Sequence, residues 1–229
     1  MDSSVRTSLA RALDHDEPFT DEELTKVTGL HIRHSRRLSR LGECTGLEIL
    51  TLVGCDPVDL EVSGLRSLRS LTIRDSGLES VAGISSLPLV SFYAPRNFIT
   101  DLSPLMDAPR LMNLDVTGNP LSEHSYRATL PRLARQGCRI TASAELEWKL
   151  TRHLHAKGIP VSCYRKDGTY RLCRPGLRLT NAPEYAHPAI QEGEVRILLD
   201  GDPGRVHRHF EDGGSVAEQV QPPSFLENE

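Results

Sequence analysis

Leu47-Glu48-Ile49-Leu50-Thr51-Leu52 and Leu68-Arg69-Ser70-Leu71-Thr72-Ile73 share one frame: an apolar residue, two others, then apolar, polar, apolar. The frame recurs as Leu89-Val90-Ser91-Phe92-Tyr93-Ala94 and as Leu111-Met112-Asn113-Leu114-Asp115-Val116, with a weaker copy at Val27-Thr28-Gly29-Leu30-His31-Ile32. Its first positions are 27, 47, 68, 89 and 111, steps of 20, 21, 21 and 22 residues. Three residues beyond each frame stand Ser35, Cys55, Ser76, Asn97 and Asn119, and an apolar residue follows each, at Leu38, Val58, Leu78, Ile99 and Leu121. Alternation within each frame predicts a short strand with one face buried. One such unit cannot bury its leucines alone; stacked units bury them in a continuous core, with parallel strands side by side. The return segments, such as Leu78 to Ile84, are too short for long helices and predict turns or 3₁₀ segments.

Five frames in register resemble the leucine-rich repeat family, in its short class of about 22 residues typified by the internalins. The resemblance covers residues 5–141. It implies an α/β solenoid with a parallel concave sheet and helical caps. It also implies that the Asn of each repeat satisfies backbone groups where the chain turns, so that Ser35, Cys55 and Ser76 leave looser turns. Ala94 departs from the pattern in place of a large apolar residue, and Pro95 and Pro109 predict irregularity around the Phe92 repeat.

The ends read as caps. Val5, Leu9, Ala12 and Leu13 lie at helical spacing within residues 3–13. Thr20 and Glu23 form a capping-box pattern ahead of Val27. Beyond the last frame, Ser122 is a candidate N-cap for a helix carrying Tyr126, Leu130 and Leu133, which Pro131 is expected to kink or divide and Gly137 to end. A short strand, Cys138 to Ile140, follows. Residues 143–199 leave the repeat. Ala144 to Ala156 reads as a helix, with Leu146, Leu150 and Leu154 on one stripe. Ile159 to Arg174 reads as a hairpin around Asp167-Gly168, with Lys166 opposite Thr169, Cys163 opposite Leu172 and Cys173 on the other face. Val195 to Leu199 reads as another strand. The expected organisation is a cap over 1–26, repeats over 27–141, a small α+β module over 142–200 and an acidic, largely disordered tail over 201–229.

Composition narrows the function. No apolar run approaches the roughly 20 residues of a membrane span. The first residues lack the basic start and apolar stretch of a signal peptide, so a cytoplasmic chain is expected. Five cysteines at irregular spacing, with no CxxC, fit reduced thiols; no metal site and no cofactor are expected. The HxH pair His153/His155 does not place both rings on one helix face, and His207/His209 stands beside acidic residues near the tail; neither is read as a metal site. No GxSxG, HExxH or phosphate-binding loop is present, and no catalytic residue is assigned.

Two surfaces remain. On the strands, outward positions form a column His31, Thr51, Thr72, Tyr93, Asp115 and a second column Arg33, Val53, Arg74, Pro95, Thr117, with Asp75 and Arg96 in the adjoining loops. His31, Arg33, Arg74, Asp75, Tyr93, Arg96 and Asp115 are the candidate contacts for a protein or peptide partner, Tyr and Arg being common interface anchors. The second surface follows from charge. The net charge is −4, but residues 1–122 carry 12 basic and 17 acidic side chains, 123–178 carry 12 and 4, and 179–229 carry 3 and 10. The basic region 126–174, with Arg135, Arg139, Lys149, Arg152, Arg165, Lys166 and Arg171 among interleaved aromatics, is the alternative: a nucleic-acid or polyanion surface, or a face paired with the acidic segment. A regulatory or recognition subunit of a separately encoded enzyme is the third reading.

Overall fold

The computed structural model describes residues 2–38, 40–56, 62, 64–176 and 187–210. Val58 and the tail from residue 211 lie outside the described residues. Helix α1 (Ser3–Leu13) is capped by Asp2, whose side chain accepts from the Ser4 N–H, and it buries Val5 and Leu9. Helix α2 (Asp21–Lys26) opens with the reciprocal Thr20–Glu23 capping box. Six parallel strands then form one sheet in chain order: β1 (Gly29–Arg33), β2 (Ile49–Val53), β3 (Ser70–Arg74), β4 (Ser91–Tyr93), β5 (Asn113–Asp115) and β6 (Arg139–Thr141).

The register is the repeat frame made physical. Leu30, Leu50, Leu71, Phe92, Leu114 and Ile140 are direct neighbours across the sheet, and Ile32, Leu52 and Ile73 continue a second row. All of these except Ile140 are buried, most of them fully. Ala94 is fully buried too, a small residue in a row of large ones. Each return segment contributes further buried side chains, among them Leu41, Leu65, Ile84 and Leu105.

The turn-side positions show why the asparagines matter. Asn97 accepts from the Leu78 N–H at 3.2 Å and donates to the carbonyls of Ile73 (2.7 Å) and Pro95 (3.3 Å). Asn119 repeats this with the Ile99 N–H and the carbonyls of Ala94 and Val116. Ser76 accepts from the Cys55 N–H and donates to the Arg74 carbonyl, and Ser35 donates to the Arg37 carbonyl. A hydroxyl has one proton to give where an amide has two, so these turns have fewer cross-links. Every repeat also leaves its strand through a left-handed residue: His34, Gly54, Asp75, Arg96 and Gly118, with φ between 52° and 71°. Gly118 is required for a second reason. A Cβ there would lie 2.8 Å from Arg96 Cγ.

After β5, Ser122 accepts from the Ser125 N–H as the expected cap. The helix it opens is divided just before Pro131, as its sequence suggests. A π-turn spans Ser125–Thr129 and α3 (Leu130–Arg135) follows, so the residue without an N–H sits where the hydrogen-bond ladder already changes its period.

Helix α4 (Glu145–Ala156) joins the two halves. Trp148 on it is buried in the repeat core, stacks on Tyr126 with ring centroids 4.0 Å apart, and donates to the Leu121 carbonyl at 2.8 Å. Leu150 and Leu154 face a second core instead. The hairpin β7 (Ser162–Lys166) and β8 (Thr169–Cys173) has the expected register, with Asp167 and Gly168 both left-handed. A short strand, β9 (Ala189–Ile190), pairs with β8.

Two expectations fail here. Val195 to Leu199 is not a strand but part of helix α5 (Glu192–Asp200). Gln191 and Glu194 form a capping box at its start, and Val195 and Leu198 are buried while Ile197 faces solvent. A five-residue segment with four apolar residues does not distinguish the two periods; the caps decide it. Nor does the folded module end at 200. Pro203–Phe210 forms a 3₁₀ segment whose Val206 and Phe210 are buried in the second core, with the Arg174 guanidinium 4.0 Å above the Phe210 ring.

Candidate functional site

The outward face of the sheet presents columns fixed by strand pairing. His31, Thr51, Thr72, Tyr93, Asp115 and Thr141 are neighbours in one. Gly29, Ile49, Ser70, Ser91, Asn113 and Arg139 form another, one the sequence reading did not single out. Ile49 is 54% exposed and Tyr93 36%, two large apolar side chains among Thr51, Ser70, Thr72 and Ser91 on the middle strands. Asn113 donates to Ser91 Oγ at 3.0 Å, and Asp115 accepts from the Thr117 N–H at 2.9 Å. At the N-terminal end Arg33 Nε donates to His31 Nε2 at 3.2 Å, so His31 is a neutral acceptor there. Partial burial, then the charges of Arg33, Arg74 and Arg11, push its pKa below the usual value. Beside it, a cleft of about 410 Å³ between α1 and β1 is lined by Ser4, Thr7, Ser8, Arg11, His31 and Arg33.

Asp75 and Arg96 are not on this surface. Asp75 is fully buried and Arg96 is 8% exposed. Arg96 Nη2 donates to Asp75 Oδ2 at 2.9 Å, its Nε donates to Oδ1, and its guanidinium lies 4.7 Å from the centre of the Tyr164 ring. The Gly176 N–H donates to the Asp75 carbonyl at 3.0 Å. Val53 and Pro95, expected in the outward column, are buried as well. The C-terminal hairpin therefore covers Asp75 and Arg96 and removes them from any partner. The partner candidates that stay accessible are His31, Arg33, Arg74, Tyr93 and Asp115.

Beneath the hairpin the same seam gathers Cys173 and His187. Cys173 is fully buried, and its Sγ lies 3.7 Å from Asp75 Oδ1. Burial, then the Asp75 charge, raises its thiol pKa well above the ordinary range. His187 is 2% exposed, and its Nδ1 is 2.8 Å from the Tyr164 hydroxyl. Its Nε2 is buried without a hydrogen-bond partner among the described residues. Burial is the chief cause that lowers its pKa to about 4, keeping the ring neutral. Among the described residues, Asp75, Cys173 and His187 form a group whose ligand atoms all lie within 4.8 Å of one another. Nothing in their spacing announces it: 98 residues separate Asp75 from Cys173.

The basic region is largely engaged within the chain. Arg127 pairs with Glu123 (2.7 Å) and Glu145 (2.8 Å), Lys149 with Glu145 (2.9 Å), and Arg152 with Glu123. Arg127 and Arg152 also lie over the Trp148 ring. Arg165 lies over Tyr170 and donates to the Gly168 carbonyl. Arg171 donates to the His187 carbonyl and Arg135 to the Pro131 carbonyl. Arg139 is on β6 and Lys166 at the hairpin tip, both exposed. His155 packs its ring 5.4 Å from Phe98, and burial lowers its pKa to about 4. It lines a cleft of about 1020 Å³ with Thr100, Pro104, Pro120 and Arg152.

No family model matches the chain, and no curated protein matches it. Solved structures do. An internalin (inlF) from Listeria monocytogenes is 17% identical with a TM-score of 0.41, covering 66% of this chain and 53% of its own. An internalin C2 from the same organism is 15% identical with a TM-score of 0.31, covering 62% of this chain and 93% of its own. The chain thus spans about half the length of the first of these. No helix among the described residues is long and apolar enough to cross a membrane. Repeat length, parallel register and the buried leucine ladder make the chain a leucine-rich repeat solenoid with a small module seated on it.

Proposed function

We propose that the protein is a non-catalytic interaction module of a reducing, cytoplasmic compartment, binding a protein or peptide partner on the outward face of its sheet. The observation that carries this is Tyr93. It stands 36% exposed at the middle of a six-stranded sheet held by a fully packed core, with exposed Ile49 two strands away. A rigid aromatic on a pre-organised surface loses little entropy on binding, and Tyr is a frequent energetic anchor. Asp115 stands beside it on β5 and Arg74 at the end of β3, with His31 and Arg33 farther along the same face on β1. The polyanion reading gains no support, because Glu123 and Glu145 already pair with Arg127, Lys149 and Arg152. Affinity capture from the native host with the wild type and with a His31→Ala/Tyr93→Ala variant tests the proposal. The variant keeps the melting temperature and loses the partner that the wild type retains in stoichiometric amount. Equal capture by both places the binding surface elsewhere.

A further inference from the structure

We propose that Asp75, Cys173 and His187 form a zinc site that staples the C-terminal module to the repeats. Three features of the seam point to a cation. First, the donor set of one thiolate sulfur, one imidazole nitrogen and one carboxylate oxygen suits Zn²⁺, which binds all three in tetrahedral geometry. Second, His187 presents a buried Nε2 with no partner among the described residues. An unsatisfied polar atom in a site that is 2% exposed is costly, and a metal ion satisfies it. Third, the surroundings hold the ligands as an outer shell does. His187 Nδ1 lies 2.8 Å from the Tyr164 hydroxyl; metal binding at Nε2 would select the tautomer in which Nδ1–H donates to that oxygen. Arg96 takes one lone pair on each Asp75 oxygen, and the Arg74 Nε lies 3.7 Å from Oδ2. The Cys173 thiol proton points at Oδ1, the position the metal would take over when that proton leaves.

Distances and charge are consistent with this. Zinc bonds of about 2.0–2.3 Å set ligand–ligand edges near 3.5 Å. Cys173 Sγ and Asp75 Oδ1 are 3.7 Å apart, and the whole group lies within 4.8 Å, so closure needs a side-chain adjustment of about an ångström at His187. Binding releases the Cys173 thiol proton to solvent and forms a sulfur–zinc bond. Thiolate and carboxylate then balance the ion, and the Arg96 charge remains against the Tyr164 ring. One water completes four ligands. All three side chains are closed to solvent, so the role is structural. The site ties the loop after β3 to the end of β8 and the approach to β9, which span both cores.

The test uses the full chain, stripped with chelator, then loaded with ZnCl₂ or CoCl₂ and desalted. Elemental analysis is expected to find one metal ion per chain, Zn²⁺ to raise the melting temperature, and the Co²⁺ form to show tetrahedral bands and thiolate-to-metal charge transfer. Cys173→Ser loses the charge-transfer band, and Cys163→Ser keeps it. Tyr164→Phe retains the ring beneath Arg96 and weakens zinc about 10–100-fold. A folded wild type that retains no metal, or binds Co²⁺ without a charge-transfer band, overturns the proposal whether or not the variants fold. So does a band that persists in folded Cys173→Ser.

Discussion

Replacing Arg96 with Ala removes the two short hydrogen bonds of a carboxylate that has no access to water, leaving it the more distant Arg74 guanidinium at 3.7 Å and the Cys173 thiol. Asp75 is fully buried and receives both of its strong hydrogen bonds from Arg96, whose side chain is 10% exposed. Breaking a buried pair from one side costs about 3–5 kcal/mol, because the remaining charge stays in a medium that solvates it poorly. The guanidinium also covers the Tyr164 ring, so the variant loses that packing. For a chain of this size about 2–4 °C accompanies each kcal/mol, which puts the melting temperature about 6–20 °C lower. Backbone geometry adds a second, separable expectation. Arg96 has φ 56°, where any residue with a Cβ is strained by about 1–2 kcal/mol. Arg96→Gly should therefore be more stable than Arg96→Ala by about that amount, while both fall well below wild type. Urea denaturation of the three proteins, followed by circular dichroism, reads these differences directly. Both variants within about 1 kcal/mol of wild type would refute the buried pair; an Ala variant as stable as the Gly variant would refute the left-handed turn.

Leu114, 1% exposed in the ladder between Phe92 and Ile140, should cost about 2–5 kcal/mol on conversion to Ala, measured by the same denaturation. The pH dependence follows from His155 and His187, both held to about 4 by burial. Between pH 6.5 and 4 the unfolded chain binds protons that the folded chain refuses, so this contribution is present above the ordinary His value and is lost as pH falls through that window. A depression of this size is worth about 3 kcal/mol per residue, and His155→Gln should flatten the fall in melting temperature from pH 7 to 4.5.

The repeat array was legible because each ladder residue meets its counterpart about 21 positions away, again and again, so periodicity reports the contact. The hairpin was legible because Asp167-Gly168 supplies the two left-handed residues its turn needs, and that register put Cys163 and Cys173 on opposite faces. Helix α5 was misread because Val195 to Leu199 fits either period, and its Gln191–Glu194 cap is a weaker signal than Thr20–Glu23. Asp75 and Arg96 look like surface loop residues in any single repeat. Only docking of a hairpin from 98 residues away buries them. His187 offered no local signal at all, since its partners Tyr164 and Cys173 come from two other strands. Pro203–Phe210 looked like tail because two buried side chains in eight residues hardly alter composition.

Site-specific photo-cross-linking in the native host tests the interaction face most directly. A photoreactive phenylalanine analogue is placed at Tyr93 on the sheet or at exposed Ser86 on a return segment. The account predicts one discrete cross-linked protein from position 93, absent from position 86 and from position 93 in a His31→Ala/Arg33→Ala background. A discrete product from position 86 alone, with none from position 93, would contradict it.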